Sequence, residues 1–178
     1  FTQHSVTTEF DQAGAQVAPS LAALKRLADE EGVQVIITYP NNDAGSKQIV
    51  DFISRQDIKN ARVRPSLGRY LYHGVLALAL DRNMRVACVG NSSSGIKETP
   101  MFGCPTVNIG SRQQGRLRGE NVLTVDYSES AIYEATKACL FDEACRSKCF
   151  NTSKPYYVEG SSERIAEVLA SIPLDRKL

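Results

Sequence analysis

The sequence predicts an α/β fold built on a doubly wound parallel sheet. Short apolar runs rich in β-branched residues alternate with longer segments whose apolar residues recur at helical spacing. The alternation continues along the chain with no internal repeat and no low-complexity tract. Polar loops of small residues follow the apolar runs, at what would be the carboxyl ends of parallel strands, where open α/β sheets bind ligands.

The elements follow in order. Residues 2–6 fit a strand end and lead into the polar stretch 6–10. Val17, Leu21, Leu24, Leu27 and Ala28 define a surface helix over residues 17–31, with Pro19 near its start and Gly32 as its stop. Residues 33–39 form a buried strand halted by Pro40. The Asn- and Asp-rich loop 40–46 either caps the next helix or faces a ligand, and that helix carries Ile49, Phe52 and Ile53 on one face. A weaker strand over 61–64 precedes a Leu- and Ala-rich helix over 69–81, which delivers the chain to a strand over 85–89. A short helix over 94–102, ended by Gly103, connects that strand to the next at 106–109. The last strand covers 121–125. Helices over 129–148 and 162–171 complete the chain, the latter with Ile165, Val168 and Leu169 directed inward.

Residues 90–98, Gly-Asn-Ser-Ser-Ser-Gly-Ile-Lys-Glu, close a strand and open a helix with small, hydrogen-bonding side chains. The first N–H groups of a helix lack intrahelical partners and the helix dipole adds partial positive charge, so a phosphate or diphosphate is the natural guest. Ser92, Ser93 and Ser94 add hydroxyl donors, and Gly95 lets backbone approach closely. A plain helix cap would use the same residues. The stretch lacks the Gly-Lys-Ser/Thr ending of a P-loop and the spacing of a dinucleotide fingerprint. Arg112, Arg116 and Arg118 in the loop 110–118 suit phosphate or carboxylate, unless that loop is simply solvated. Loops 40–46, 90–98 and 110–118 share one sheet edge and are expected to converge on one ligand.

The length of 178 residues suits one well-packed domain, and the balance of 21 basic against 20 acidic residues gives no reason for a nucleic-acid partner. No apolar run approaches the roughly 18 residues that span a bilayer, and no signal-peptide pattern opens the sequence, so no membrane partner and a cytoplasmic location are expected. The chain opens on Phe1-Thr2-Gln3-His4 rather than an initiator methionine and reads as a fragment. Five cysteines cannot all pair internally. Cys88 and Cys104 sit in apolar runs as core residues, while Cys139, Cys145 and Cys149 share a helical segment without the further ligands a metal needs.

Four stretches run in order over nearly the whole chain: His4-Ser5-Val6-Thr7-Thr8-Glu9, Tyr39-Pro40-Asn41-Asn42-Asp43-Ala44-Gly45-Ser46, residues 90–98, and Pro105-Thr106-Val107-Asn108-Ile109-Gly110 through Arg112-Gln113. Together they resemble the UDP-N-acetylglucosamine 2-epimerase family. The likeness is to the hydrolysing branch, since the non-hydrolysing branch has His-Arg in place of His4-Ser5 and Asp-Ser-Gly-Gly in place of Asn91-Ser92-Ser93-Ser94. The resemblance implies a Rossmann-like domain over 1–178 that is the carboxyl-terminal, UDP-binding half of a two-domain GT-B fold, its amino-terminal half absent. It implies an enzyme that eliminates UDP from UDP-N-acetylglucosamine to give a glycal and then adds water. The product, N-acetylmannosamine, feeds sialic acid synthesis. The implied partners are UDP or UDP-N-acetylglucosamine, the absent half, and further copies in a homo-oligomer; no metal and no cofactor are implied.

By the same resemblance Ser92 and Ser93 bind the diphosphate, Arg112 makes a phosphate-side contact, and Glu98 accepts from the ribose hydroxyls. His4 is a catalytic histidine that reaches the sugar and diphosphate, and Asn41 and Asp43 face the sugar or pyrophosphate. His73, in an apolar helix, is taken as structural. Two departures stand out: Tyr157-Val158-Glu159-Gly160 replaces the family's Gly-Asp-Gly, and the stretch 80–85 is longer than usual. The carboxylates for C2 proton transfer belong to the absent half. A hydrolysing epimerase for another UDP-sugar, such as a diacetamido trideoxyhexose, and a non-catalytic UDP-binding module remain as alternatives.

Overall fold

A computed structural model describes residues 1–173. Its strands are β1 (Val35–Thr38), β2 (Ala61–Arg64), β3 (Cys88–Gly90), β4 (Thr106–Ile109) and β5 (Val122–Val125). Its helices are α1 (Ala13–Glu31), α2 (Ser46–Ser54), α3 (Gly68–Ala77), α4 (Ser94–Lys97), α5 (Glu129–Phe141), α6 (Glu143–Phe150) and α7 (Ser161–Ser171). All strand pairings are parallel: β1 with β2, β3 with β4, and β4 with β5.

The first residues of the chain join the two groups of strands. Phe1 N donates to Ile36 O at 2.6 Å and Thr38 N donates to Phe1 O at 2.9 Å, the pattern of a parallel bridge. On the other side Thr2 N donates to Val89 O at 3.0 Å and Asn91 N donates to Thr2 O at 3.2 Å. The lateral order is therefore β2, β1, residues 1–2, β3, β4, β5. In chain order this reads 3-2-1-4-5-6, the classic dinucleotide-fold arrangement, whose topological switch point lies between the first strand and β3. Gly90 holds this close approach with φ +133°, because a Cβ there would overlap the Thr2 carbonyl.

All four residues of β4 are buried. Side chains alternate between faces along a strand, so the sheet centre is covered on both sides. The core joins Val17, Leu21, Leu24 and Leu27 of α1 to Ile37, Val107, Ile109 and Ile132. Helix α1 packs against α2 and α5 and is a core helix rather than the expected surface helix. Small residues at Ala13, Gly14, Ala23 and Ala28 allow that burial around more than one stripe.

Several expected elements differ. The helix expected over 94–102 divides into the four-residue α4 and a 3-10 turn over Thr99–Phe102. The helix expected over 129–148 breaks at Asp142, which leaves helical geometry and accepts the Cys145 N–H at 2.8 Å, starting α6 as its cap. Helix α7 has no buried residue: Ile165, Val168 and Leu169 are exposed, not directed inward. Helical periodicity identifies a face that needs cover without supplying the element that covers it. Cys104 is buried as expected, Cys88 is half-buried, and all five thiols are free. Among the described residues no cluster of three or more His, Cys, Asp or Glu could hold a metal, and no helix is long and apolar enough to cross a membrane.

Candidate functional site

The switch point is tied together by Asn91, which is fully buried. Its Oδ1 accepts the His4 N–H at 2.7 Å, and its Nδ2 donates to the His4 carbonyl at 2.8 Å. Its own carbonyl accepts from Gln113 Nε2 at 2.7 Å and Arg112 Nη1 at 3.3 Å. One residue, through its side-chain amide and its backbone carbonyl, therefore fixes three segments: the one after the first strand, the serine turn after β3, and the arginine loop after β4.

His4, half-buried, accepts the Asn41 N–H on Nδ1 at 3.0 Å. That leaves the proton of the neutral ring on Nε2, as a donor. Burial first, and the Arg112 guanidinium second, push the His4 pKa below its ordinary value, while the Asp43 carboxylate pulls it back up. Asn41 Nδ2 donates to Asp43 Oδ2 at 2.7 Å, and Arg112 Nη2 stands 3.6 Å from the same oxygen. The predicted residues His4, Asn41, Asp43 and Arg112 thus form one connected polar cluster.

Ser92 and Ser93 lie beside that cluster. The Gly95 and Ile96 N–H groups turn back onto the Ser92 and Ser93 carbonyls, at 3.1 and 3.2 Å. The Ser92 hydroxyl accepts the Ser94 N–H at 3.4 Å and keeps its own proton to donate. The Ser94 hydroxyl is held by the Tyr72 hydroxyl at 2.6 Å. A four-residue α4 carries little macrodipole, so local donors and Arg112 supply the attraction for an anion here. A polar cleft of about 540 Å³ opens on this side, lined by Thr7, Thr8, Glu9, Ser93, Arg112 and Arg116 among others. Arg118 turns away from it and donates to Thr124 Oγ1 at 2.8 Å.

A second cleft of about 610 Å³ flanks the turn on the other side, lined by Tyr39, Ser66, Leu67, Tyr72, His73 and Glu98 among others. Glu98 therefore stands apart from the His4 cluster, at the far end of the serine segment. Its Oε2 meets His73 Nε2 at 2.7 Å, so His73, taken from the sequence as structural, belongs to this cleft. Burial raises the Tyr72 phenol pKa well above its ordinary range, which keeps it neutral and able to donate to or accept from Ser94. Sequence reasoning gave no role to Ser66, Leu67 or Tyr72, quoted Gln113 only as part of a motif, and took His73 as structural. The loop after β2 was recoverable in principle, since it leaves the same sheet edge as the other loops.

A family model described as UDP-N-acetylglucosamine 2-epimerase matches residues 1–170. The chain is 33% identical over 168 residues to a Neisseria meningitidis UDP-N-acetylglucosamine 2-epimerase, covering 93% of this chain and 41% of that protein. It is 32% identical over 177 residues to a Legionella pneumophila UDP-N,N'-diacetylbacillosamine 2-epimerase (hydrolyzing), covering 98% of this chain and 43% of that protein. A 2.2 Å crystal structure from Listeria monocytogenes, described as a UDP-N-acetylglucosamine 2-epimerase, superposes with a TM-score of 0.68 at 11% identity, over 96% of this chain and 43% of that one. That likeness bears on the fold, which it shares as a Rossmann-like half. The chain spans about two fifths of the length of the relatives it matches.

Proposed function

The chain belongs to the UDP-N-acetylglucosamine 2-epimerase family, a family of enzymes, and we propose that it is the UDP-binding half of a hydrolysing epimerase acting on UDP-N-acetylglucosamine. One observation carries this reading: two clefts flank the segment 92–98 at the switch point, with Glu98 in one and Ser93 and Arg112 in the other. A nucleoside diphosphate laid across the segment puts its ribose hydroxyls on the Glu98 carboxylate, an acceptor for a vicinal diol. Its diphosphate then falls on the Ser92 and Ser93 hydroxyls and Arg112, and the sugar extends towards His4, Asn41 and Asp43.

The reaction breaks the sugar C1–O bond, and the electron pair passes to the β-phosphate oxygen of departing UDP. A base from the remainder of the protein takes the C2 proton and leaves a glycal. Water then adds its hydroxyl at C1 and a proton at C2 on the opposite face, giving N-acetylmannosamine for sialic acid synthesis. Arg112 and the serine hydroxyls stabilise charge on the leaving diphosphate, and His4, neutral with its proton on Nε2, donates to the same oxygens. The five free thiols fit a cytosolic setting. Exposed apolar side chains on α3 and α7, including Tyr70, Leu71, Val168 and Leu169, support further protein surface lying against this half in a full-length homo-oligomer.

Calorimetric titration with UDP tests the nucleotide site. Wild-type binding should fall by roughly tenfold or more in Arg112→Ala and in Glu98→Ala, the loss expected for one charge-assisted contact. Affinity unchanged in both variants would contradict the reading. The similarity to a diacetylbacillosamine epimerase favours a second reading, the same chemistry on a diacetamido UDP-sugar. Product analysis of the full-length protein with each sugar separates the two.

A further inference from the structure

The Glu98 carboxylate is 43% exposed on its side chain and projects into a cleft, where a free carboxylate would sample several rotamers. It does not stand free. His73, one helix away on α3, meets its Oε2 at 2.7 Å. An ionised carboxylate only accepts, so His73 Nε2 carries the proton and donates. The imidazole is itself held by its neighbours: its centroid lies 5.6 Å from that of Phe102 and 6.1 Å from that of Tyr72, both in tilted contact. Tyr72 is in turn fixed to Ser94 at 2.6 Å, at the head of the short helix that leads to Glu98. Helix α3 and the segment 94–102 are thereby locked together at two points, His73 to Glu98 and Tyr72 to Ser94.

From this arrangement we infer that His73 is a positioning residue that engages one oxygen of Glu98 and leaves the other aimed at the ribose diol, so that the pair discriminates ribose from deoxyribose. The inference rests on the proposed UDP reading. A carboxylate held through one oxygen presents the other at a fixed place, and the ordering cost is met on folding rather than on binding. Without the imidazole, Glu98 must be ordered by the nucleotide itself, and its preference for a ribose with both hydroxyls weakens.

The test is calorimetric titration of the whole chain with UDP and with 2′-deoxy-UDP, for the wild type, His73→Phe, His73→Gln and Glu98→Gln. Phenylalanine keeps the ring packing against Phe102 and removes the donor, and the glutamine amide restores a donor at a similar reach. The wild type should prefer UDP by roughly tenfold or more, the worth of a hydrogen bond to a charged group. His73→Phe and Glu98→Gln should bring the preference to about twofold or less, while His73→Gln should keep most of it. A merely structural role would lower affinity for both nucleotides together and leave their ratio unchanged. If the wild type prefers UDP and His73→Phe keeps that preference, the positioning role is overturned and the UDP site stands. A wild type that binds both nucleotides equally overturns the ribose contact on which the inference depends. A wild type that binds neither overturns the UDP reading with it.

Discussion

Asn91 shows how much of this site depends on one buried amide. It needs both halves of its side chain, a donor for the His4 carbonyl and an acceptor for the His4 N–H. Asn91→Ala leaves both His4 groups without their partner, at about 1–3 kcal/mol for each group that water does not reach. Asn91→Asp should be worse at neutral pH, since it puts a carboxylate against a carbonyl oxygen at a fully buried position. It should recover in part at acid pH, where a protonated carboxyl can donate again. Chemical denaturation at pH 7 and pH 5 checks this, and an Asn91→Asp protein as stable as the wild type at pH 7 would contradict it. The motif containing Asn91 was legible in the sequence, but its role was not. Asn91 lies 87 positions from His4, and only the closing of the sheet brings them together.

At the scale of elements, the alternation of strand and helix was legible because apolar periodicity reports which face of a segment is buried. The loops over 40–46, 90–98 and 110–118 do converge, as the Asp43, Arg112 and Asn91 contacts show. What periodicity cannot report is where a polar side chain leaves a helix. The Asp142 break and the His73 contact to Glu98 each depend on one polar side chain and its partner. The exposed face of α7 is the opposite failure, a regular pattern with no described element to meet it. The docking of the segment after α6 is likewise polar. Glu120 accepts from the Ser153 N–H at 2.7 Å, the Ser153 hydroxyl at 2.9 Å and the Thr152 hydroxyl at 3.2 Å. The Ser153 N–H foremost, with the hydroxyls, lowers its pKa from 4.5 to about 2. A carboxyl with a lowered folded-state pKa stabilises fully above its unfolded value and loses that contribution as pH falls through its folded value. Wild-type thermal stability should therefore fall more steeply than that of Glu120→Gln between pH 4.5 and about 2. Parallel pH profiles would contradict the assignment.

At the scale of the molecule, the first two residues act as the central strand on which the switch point depends, with β1 on one side and β3 on the other. The sequence suggested a strand end there, yet its central place follows only from pairings to residues some 35 and 90 positions away. That placement sets the serine turn between the two clefts, and the whole functional account depends on a nucleotide lying across it. Amide chemical-shift mapping by NMR during UDP titration tests that claim most directly. Shifts concentrated on Ser92, Ser93, Gly95, Leu67, His73 and Gln113 are the result predicted. Shifts centred on α5 and α6, or none at saturating UDP in a folded chain, would contradict it.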